Sequence, residues 1–142
     1  VGERVAVVMG FIADAKSAAN VNATSAAQGY AEGYGTTVAS GIANGTLTVA
    51  SKNVATVVLS GTTGVITMTT TAAAGNGTLI VSPYTGGSDA FGTGGAALTT
   101  AVALTPLPTP AAQIKWRCKA VGAAGFGTAG TLLAKYAPGE CR

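Results

Sequence analysis

Three short stretches, Thr46–Ser51 (TLTVAS), Val54–Ser60 (VATVVLS) and Val65–Thr71 (VITMTTT), decide how this chain folds. Each alternates Thr or Ser with Val, Ile, Leu or Met. A period of two sends successive side chains to opposite faces of a strand, leaving one face apolar and the other wet. Gly61–Gly64 (GTTG) separates the second and third stretches and is expected to turn a hairpin. Further on, Ala72–Gly77 (AAAGNG) is another break, and Thr78–Ser82 (TLIVS) is the next strand. Pro83 to Gly95 carries five glycines and is expected to be an exposed loop. Leu98–Leu104 is a further strand candidate, stopped by Pro106, Pro108 and Pro110. Ala112–Lys119 (AQIKWRCK) closes the series, with Ile114, Trp116 and Cys118 on one face and Lys115, Arg117 and Lys119 on the other.

Toward the N-terminus the period changes to that of a helix. Val1, Val5, Val8, Ile12, Ala15 and Ala19 recur at spacings of 3 and 4, with Glu3, Arg4, Asp14 and Lys16 off the stripe. Residues 1–20 therefore read as one amphipathic helix. It starts without a cap at the first residue, as a helix does when the native N-terminus has been removed. Asn20, Asn22, Gly29, Gly33 and Gly35 end it and open a small-residue connection over 20–45. The order is one helix, then strands in succession without βαβ alternation. That is an α+β domain over 1–142: a helix packed on an antiparallel meander of four or more strands (46–119), then a C-terminal loop.

Composition narrows the function. The chain has 142 residues, enough for one modest core. Charged residues are 9 % and hydrophobic residues 48 %, a balance that argues against disorder. There is no histidine, which excludes Ser/His/Asp and Cys/His triads and His-ligated zinc. Five carboxylates, Glu3, Asp14, Glu32, Asp89 and Glu140, are scattered along the chain, so neither a paired-carboxylate hydrolase nor an acidic calcium cage is expected. No catalytic, cofactor or metal site is expected, and no apolar run reaches the length of a membrane span. The net charge of +3 is concentrated: Lys115, Arg117, Lys119, Lys135 and Arg142 all lie near the C-terminus. Weak, salt-sensitive DNA contact through that end is the most such a charge supports.

Two cysteines are present, Cys118 and Cys141. They are either two buried thiols or one bond. The bond is favoured by Gly122, Gly125, Gly127, Gly130, Pro138 and Gly139, which let the intervening segment fold back, and by the need to pin a penultimate residue. Closing that loop is worth roughly 3–4 kcal/mol in the chain-entropy picture.

Other motifs have plainer readings. Gly92–Gly95 (GTGG) lacks the Lys-Ser/Thr pair of a phosphate loop and reads as turn chemistry. Asn22-Ala23-Thr24, Asn44-Gly45-Thr46 and Asn76-Gly77-Thr78 match the N-glycan sequon in a chain rich in all three residue types. The alternating threonines read as a solvated strand face, against an ice face or O-glycan carrier. Trp116 reads as core, against a sugar platform. Lys115, Arg117 and Lys119 form either a solvated face or a patch for an acidic neighbouring subunit or polyanion.

Ile114-Lys115-Trp116-Arg117-Cys118 and the ending Lys135-Tyr136-Ala137-Pro138-Gly139-Glu140-Cys141-Arg142, behind a helix, a small-residue connection and a meander, resemble the type IV pilins, subclass a. The resemblance implies that the helix continues a longer one whose apolar first half, absent here, sits in the inner membrane before assembly and in the fibre core afterwards. Val1, Val5, Val8 and Ile12 would then be subunit-contact positions. Cys118 and Cys141 would bound the D-region over 118–141, with Lys119, Phe126, Lys135, Tyr136 and Glu140 as its exposed candidates. Residues 20–45 would be the αβ-connection. The implied function is structural: polymerisation into a surface fibre for twitching motility, surface adhesion and DNA uptake. The implied partners are other copies of the chain, other pilins, the assembly machinery, and host or abiotic surfaces. The alternatives are a minor pilin or secretion-system pseudopilin, and a free secreted Thr-rich module binding sugar or ice.

Overall fold

The computed structural model describes residues 2–22, 29–31, 34, 44–48, 51–88, 91–101 and 113–142, without the side chains of 2–8 and 21. A helix, α1 (Gly2–Asn22), precedes six strands: β1 (Gly45–Thr48), β2 (Val54–Leu59), β3 (Ile66–Thr70), β4 (Thr78–Thr85), β5 (Ala96–Ala97) and β6 (Lys115–Lys119). All pairings are antiparallel. Ile80 pairs with both Thr67 and Lys119, and Tyr84 with both Ala97 and Lys115. Hence β3 and β5 share one edge of β4 and β6 takes the other. The chain is α+β, as its change of period indicates.

Register converts the sequence alternation into two faces. Leu59, Ile66, Val81 and Cys118 form one cross-strand row, and Leu47, Val57, Met68 and Leu79 the next. Apart from half-buried Leu47, these side chains are buried, and Ile12, Ala15 and Ala19 of α1 join them in one core. The 3- and 4-residue spacing of those positions turns a single helix stripe onto the sheet. Each fully buried Leu, Ile, Val or Met contributes about 1.5–3 kcal/mol. The opposite face carries Thr48, Thr56, Thr69 and Thr78 in one row and Thr46, Val58, Thr67 and Ile80 in another. These side chains are half-buried or exposed, which suits β-branched residues on a wet pleat.

The β2–β3 turn at 61–64 forms as expected, closed by Ser60 N donating to Val65 O (2.9 Å) and Gly64 N to Ser60 O (3.0 Å). Tyr30, from the segment between α1 and β1, and the segment after β5 both dock there. Tyr30 N donates to Gly61 O, Ala101 N to Thr62 O, and the Tyr30 hydroxyl to Thr99 O at 2.5 Å.

Three strand expectations need correction. The fourth strand does not stop at Ser82 but runs to Thr85, so Pro83 and Tyr84 are buried strand residues rather than exposed loop. The β3 pairing ends at Val81 and the β5 pairing begins at Tyr84, leaving Ser82–Pro83 opposite a gap on that edge. A proline, which lacks the N–H, is tolerated where the ladder lapses. In place of a strand over Leu98–Leu104, pairing is limited to Ala96–Ala97, and 98–101 are not strand; 102–104 lie outside the described residues. The last strand begins at Lys115, not at Ala112, which also lies outside them.

Candidate functional site: the disulfide-closed loop

Residues 120–142 leave β6, bend around the end of the sheet and return. Cys118 and Cys141 are bonded, with Cα atoms 4.6 Å apart, and both are buried in the main core. The loop closes on the sheet through its backbone: Ala120 N donates to Cys141 O (2.7 Å), Gly130 N to Lys119 O (3.0 Å) and Leu132 N to Thr78 O (3.0 Å). Thr131 and Thr78 exchange backbone-to-hydroxyl bonds at 3.0 and 3.1 Å, extending the Thr48–Thr78 row by one residue. Gly130 is required there, because a Cβ would run into Thr78 O. The later half of the loop completes the core with Leu132, Ala137 and Cys141.

The earlier half covers the other face of β6, and this overturns the solvated-face reading for Arg117 and Lys119, while Lys115 is half-buried. Arg117 is 4 % exposed and Lys119 7 %. Arg117 donates from Nε to Ala124 O (2.9 Å), from Nη1 to Glu140 O (2.6 Å) and from Nη2 to Arg142 O (3.1 Å). Lys119 Nζ donates to Gly125 O (3.0 Å) and Gly127 O (2.8 Å). Both cations thus spend their donors on main-chain carbonyls of the loop. Burial pushes the Arg117 pKa down from its ordinary value, while the Glu140 carboxylate and then Tyr84 oppose that shift. The guanidinium stays charged, as arginine does throughout proteins.

A second loop locks onto the first. Phe126 N donates to Phe91 O (2.8 Å), the Tyr84 and Phe126 rings lie 5.4 Å apart, and Arg117 lies over the Phe91 ring. Gly125, at φ +104, sits where any Cβ would strike Phe91 O. Half-exposed Phe91, Val121 and Leu133 are the large apolar side chains on the surface of the described residues.

The expected site residues separate accordingly. Cys118 and Cys141 are joined. Lys119, expected to be exposed, is buried because the loop folds over its strand face. Phe126 and Tyr136 are half-buried, the latter with Lys135 Nζ 5.0 Å from its ring centroid, whereas Lys135 and Glu140 are exposed. Ile12 is fully buried within this chain's own core. Val1 and the side chains of Val5 and Val8 lie outside the described residues. Sequence reasoning missed Arg117 and Phe91 as organisers of the loop. The β6 alternation does put Arg117 with Lys119, but no spacing signal links either to Phe91.

Among the described residues no group of three His, Cys, Asp or Glu could hold a metal ion, and no helix is long and apolar enough to cross a membrane. Comparison with protein-family models, with curated proteins and with solved structures gives no match to this chain.

Proposed function

We propose that this chain is a structural subunit of a type IV pilus, assembling head-to-tail with copies of itself into an extracellular fibre for motility and adhesion. The observation that carries the reading is the joint use of the two chain ends. The helix lays Ile12, Ala15 and Ala19 on the antiparallel sheet, while the C-terminal residues return to its last strand and are bonded there through Cys118 and Cys141. The Trp-Arg-Cys and Lys-Tyr-Ala-Pro-Gly-Glu-Cys motifs bracket that closure. A fibre subunit asks for no catalysis. It asks for unlike patches that meet at every step without closing, and a chain with 9 % charged residues suits close repeated packing. Before assembly the full-length form would be held in the inner membrane by the apolar part of its helix.

The test is to read the gene upstream of Val1 and to analyse fibres sheared from the cell surface. A short basic leader followed by an apolar stretch of about 20 residues, with this chain dominating the sheared fibres, is the expected result. A trace presence would instead indicate a minor pilin or pseudopilin. A conventional cleaved signal peptide at Val1 would overturn the reading.

One observation favours the free secreted module: the unbroken row Thr48–Thr56–Thr69–Thr78. Sheets twist by about 20–25° per strand pair, so three pairings turn the ends of that row by roughly 60–75°. A rigid flat lattice does not follow such a row. Thermal hysteresis or glycan binding by the isolated chain would restore that reading.

A further inference from the structure

We propose that loop 120–142 is shaped by the two buried cations of β6 rather than by the disulfide. The loop keeps its surface when Cys118 and Cys141 are not bonded, and loses it when Arg117 or Lys119 is changed. This stands independently of the pilus reading.

The disulfide joins two residues separated by 23 positions and fixes nothing between them. The cations reach inside the loop. Lys119 Nζ bridges Gly125 O and Gly127 O, which holds the bend over β6. Arg117 takes Ala124 O with Nε, then grips Glu140 O and Arg142 O with its two terminal nitrogens, on either side of Cys141. The segment carrying Cys141 is therefore docked by three contacts that involve no sulfur, two from Arg117 of β6 and one from Ala120 N, just after the strand, to Cys141 O. Charge-assisted donors to carbonyls are among the stronger hydrogen bonds. Both cations are at least nine-tenths buried, so the docked loop has stripped their water, and its carbonyls must make up that desolvation penalty for the loop to stay in place. That penalty is the same whether or not the sulfurs are bonded. Phe91 over Arg117 and Phe126 N on Phe91 O extend the hold to the second loop.

The experiment is amide hydrogen exchange on the full chain, comparing Val121, Phe126 and Gly130 in the loop with Met68 in the core strand β3. Four proteins are compared: the native chain, Cys118→Ser/Cys141→Ser, Lys119→Met and Arg117→Lys. The expected result is loop protection, relative to Met68, within about threefold of native in the serine variant. In each cation variant it falls about tenfold or more, as the loss of a charge-assisted bond implies. A cation variant that fails to fold beside a folded serine variant also supports the proposal. It is overturned if the serine variant releases the loop or unfolds throughout, or if both cation variants keep native loop protection.

Discussion

The guanidinium carbon of Arg117 lies 4.6 Å from the centroid of the Phe91 ring, tying the loop after β4 to the C-terminal loop through a residue that belongs to neither. The ring is 46 % exposed, so it caps the cation on one side while Ala124, Glu140 and Arg142 carbonyls hold its edge.

Phe91→Leu keeps apolar cover over the guanidinium but removes the π-face. A partly exposed cation–π contact is worth about 0.5–1 kcal/mol, and the expected loss of stability is of that size. Urea unfolding of the two proteins measures it; an unchanged midpoint at unchanged slope would show that the ring acts only as cover.

Two glycines are expected to respond in opposite directions to alanine. Gly10 lies in α1 with nothing within 4 Å of a Cβ, so Gly10→Ala removes a helix-interior glycine without a clash and should stabilise by about 0.5–1 kcal/mol. Gly130→Ala places its methyl against Thr78 O and should cost more than about 2 kcal/mol. Thermal unfolding of both variants checks the pair, and a destabilised Gly10→Ala chain would mean that α1 is packed on that side.

Among the described side chains of α1, Ile12 is the largest that is fully buried. Ile12→Ala should destabilise by about 2–5 kcal/mol, as truncations in closed cores do. A cost below about 1 kcal/mol in chemical unfolding would show that the sheet core closes without the helix.

How far the sequence reveals this fold depends on whether the deciding force is local. The β2 and β3 alternation is set by side-chain period, and Leu59–Ile66 and Val57–Met68 pair accordingly. The GTTG turn is likewise local. The fate of Pro83 is not, because a proline is tolerated only where the neighbouring strand stops, and that depends on where β3 ends. The burial of Lys119 is also non-local. Its period places it opposite Cys118, but nothing in its neighbours says that a glycine-rich loop covers that face. The carbonyls it meets belong to the backbone, which every residue carries alike. In the C-terminal site, therefore, the cysteine pair can be inferred from the chain, and the cations that hold the loop emerge only in three dimensions.

Alkaline pH is expected to weaken the fold through two tyrosines. Burial raises the pKa of Tyr30 above 10.0, and burial followed by the charge of Asp14 raises that of Tyr34. In both cases the unfolded chain releases its proton first. Their contribution is thus fully present below pH 10 and is lost as pH rises through the folded values. The two differ in what the hydroxyl does. Tyr30 donates to Thr99 O, whereas the buried Tyr34 hydroxyl has no hydrogen-bond partner among the described residues. Tyr30→Phe should flatten the alkaline fall but lower stability at neutral pH by about 0.5–1.5 kcal/mol, the net worth of one bond. Tyr34→Phe should flatten it with no loss at neutral pH, since no bond is broken and an unsatisfied oxygen leaves the interior. Urea midpoints measured between pH 7 and about 11, spanning the ordinary tyrosine range, separate the two. A Tyr34→Phe chain less stable than native at pH 7 would show that its hydroxyl is bonded after all.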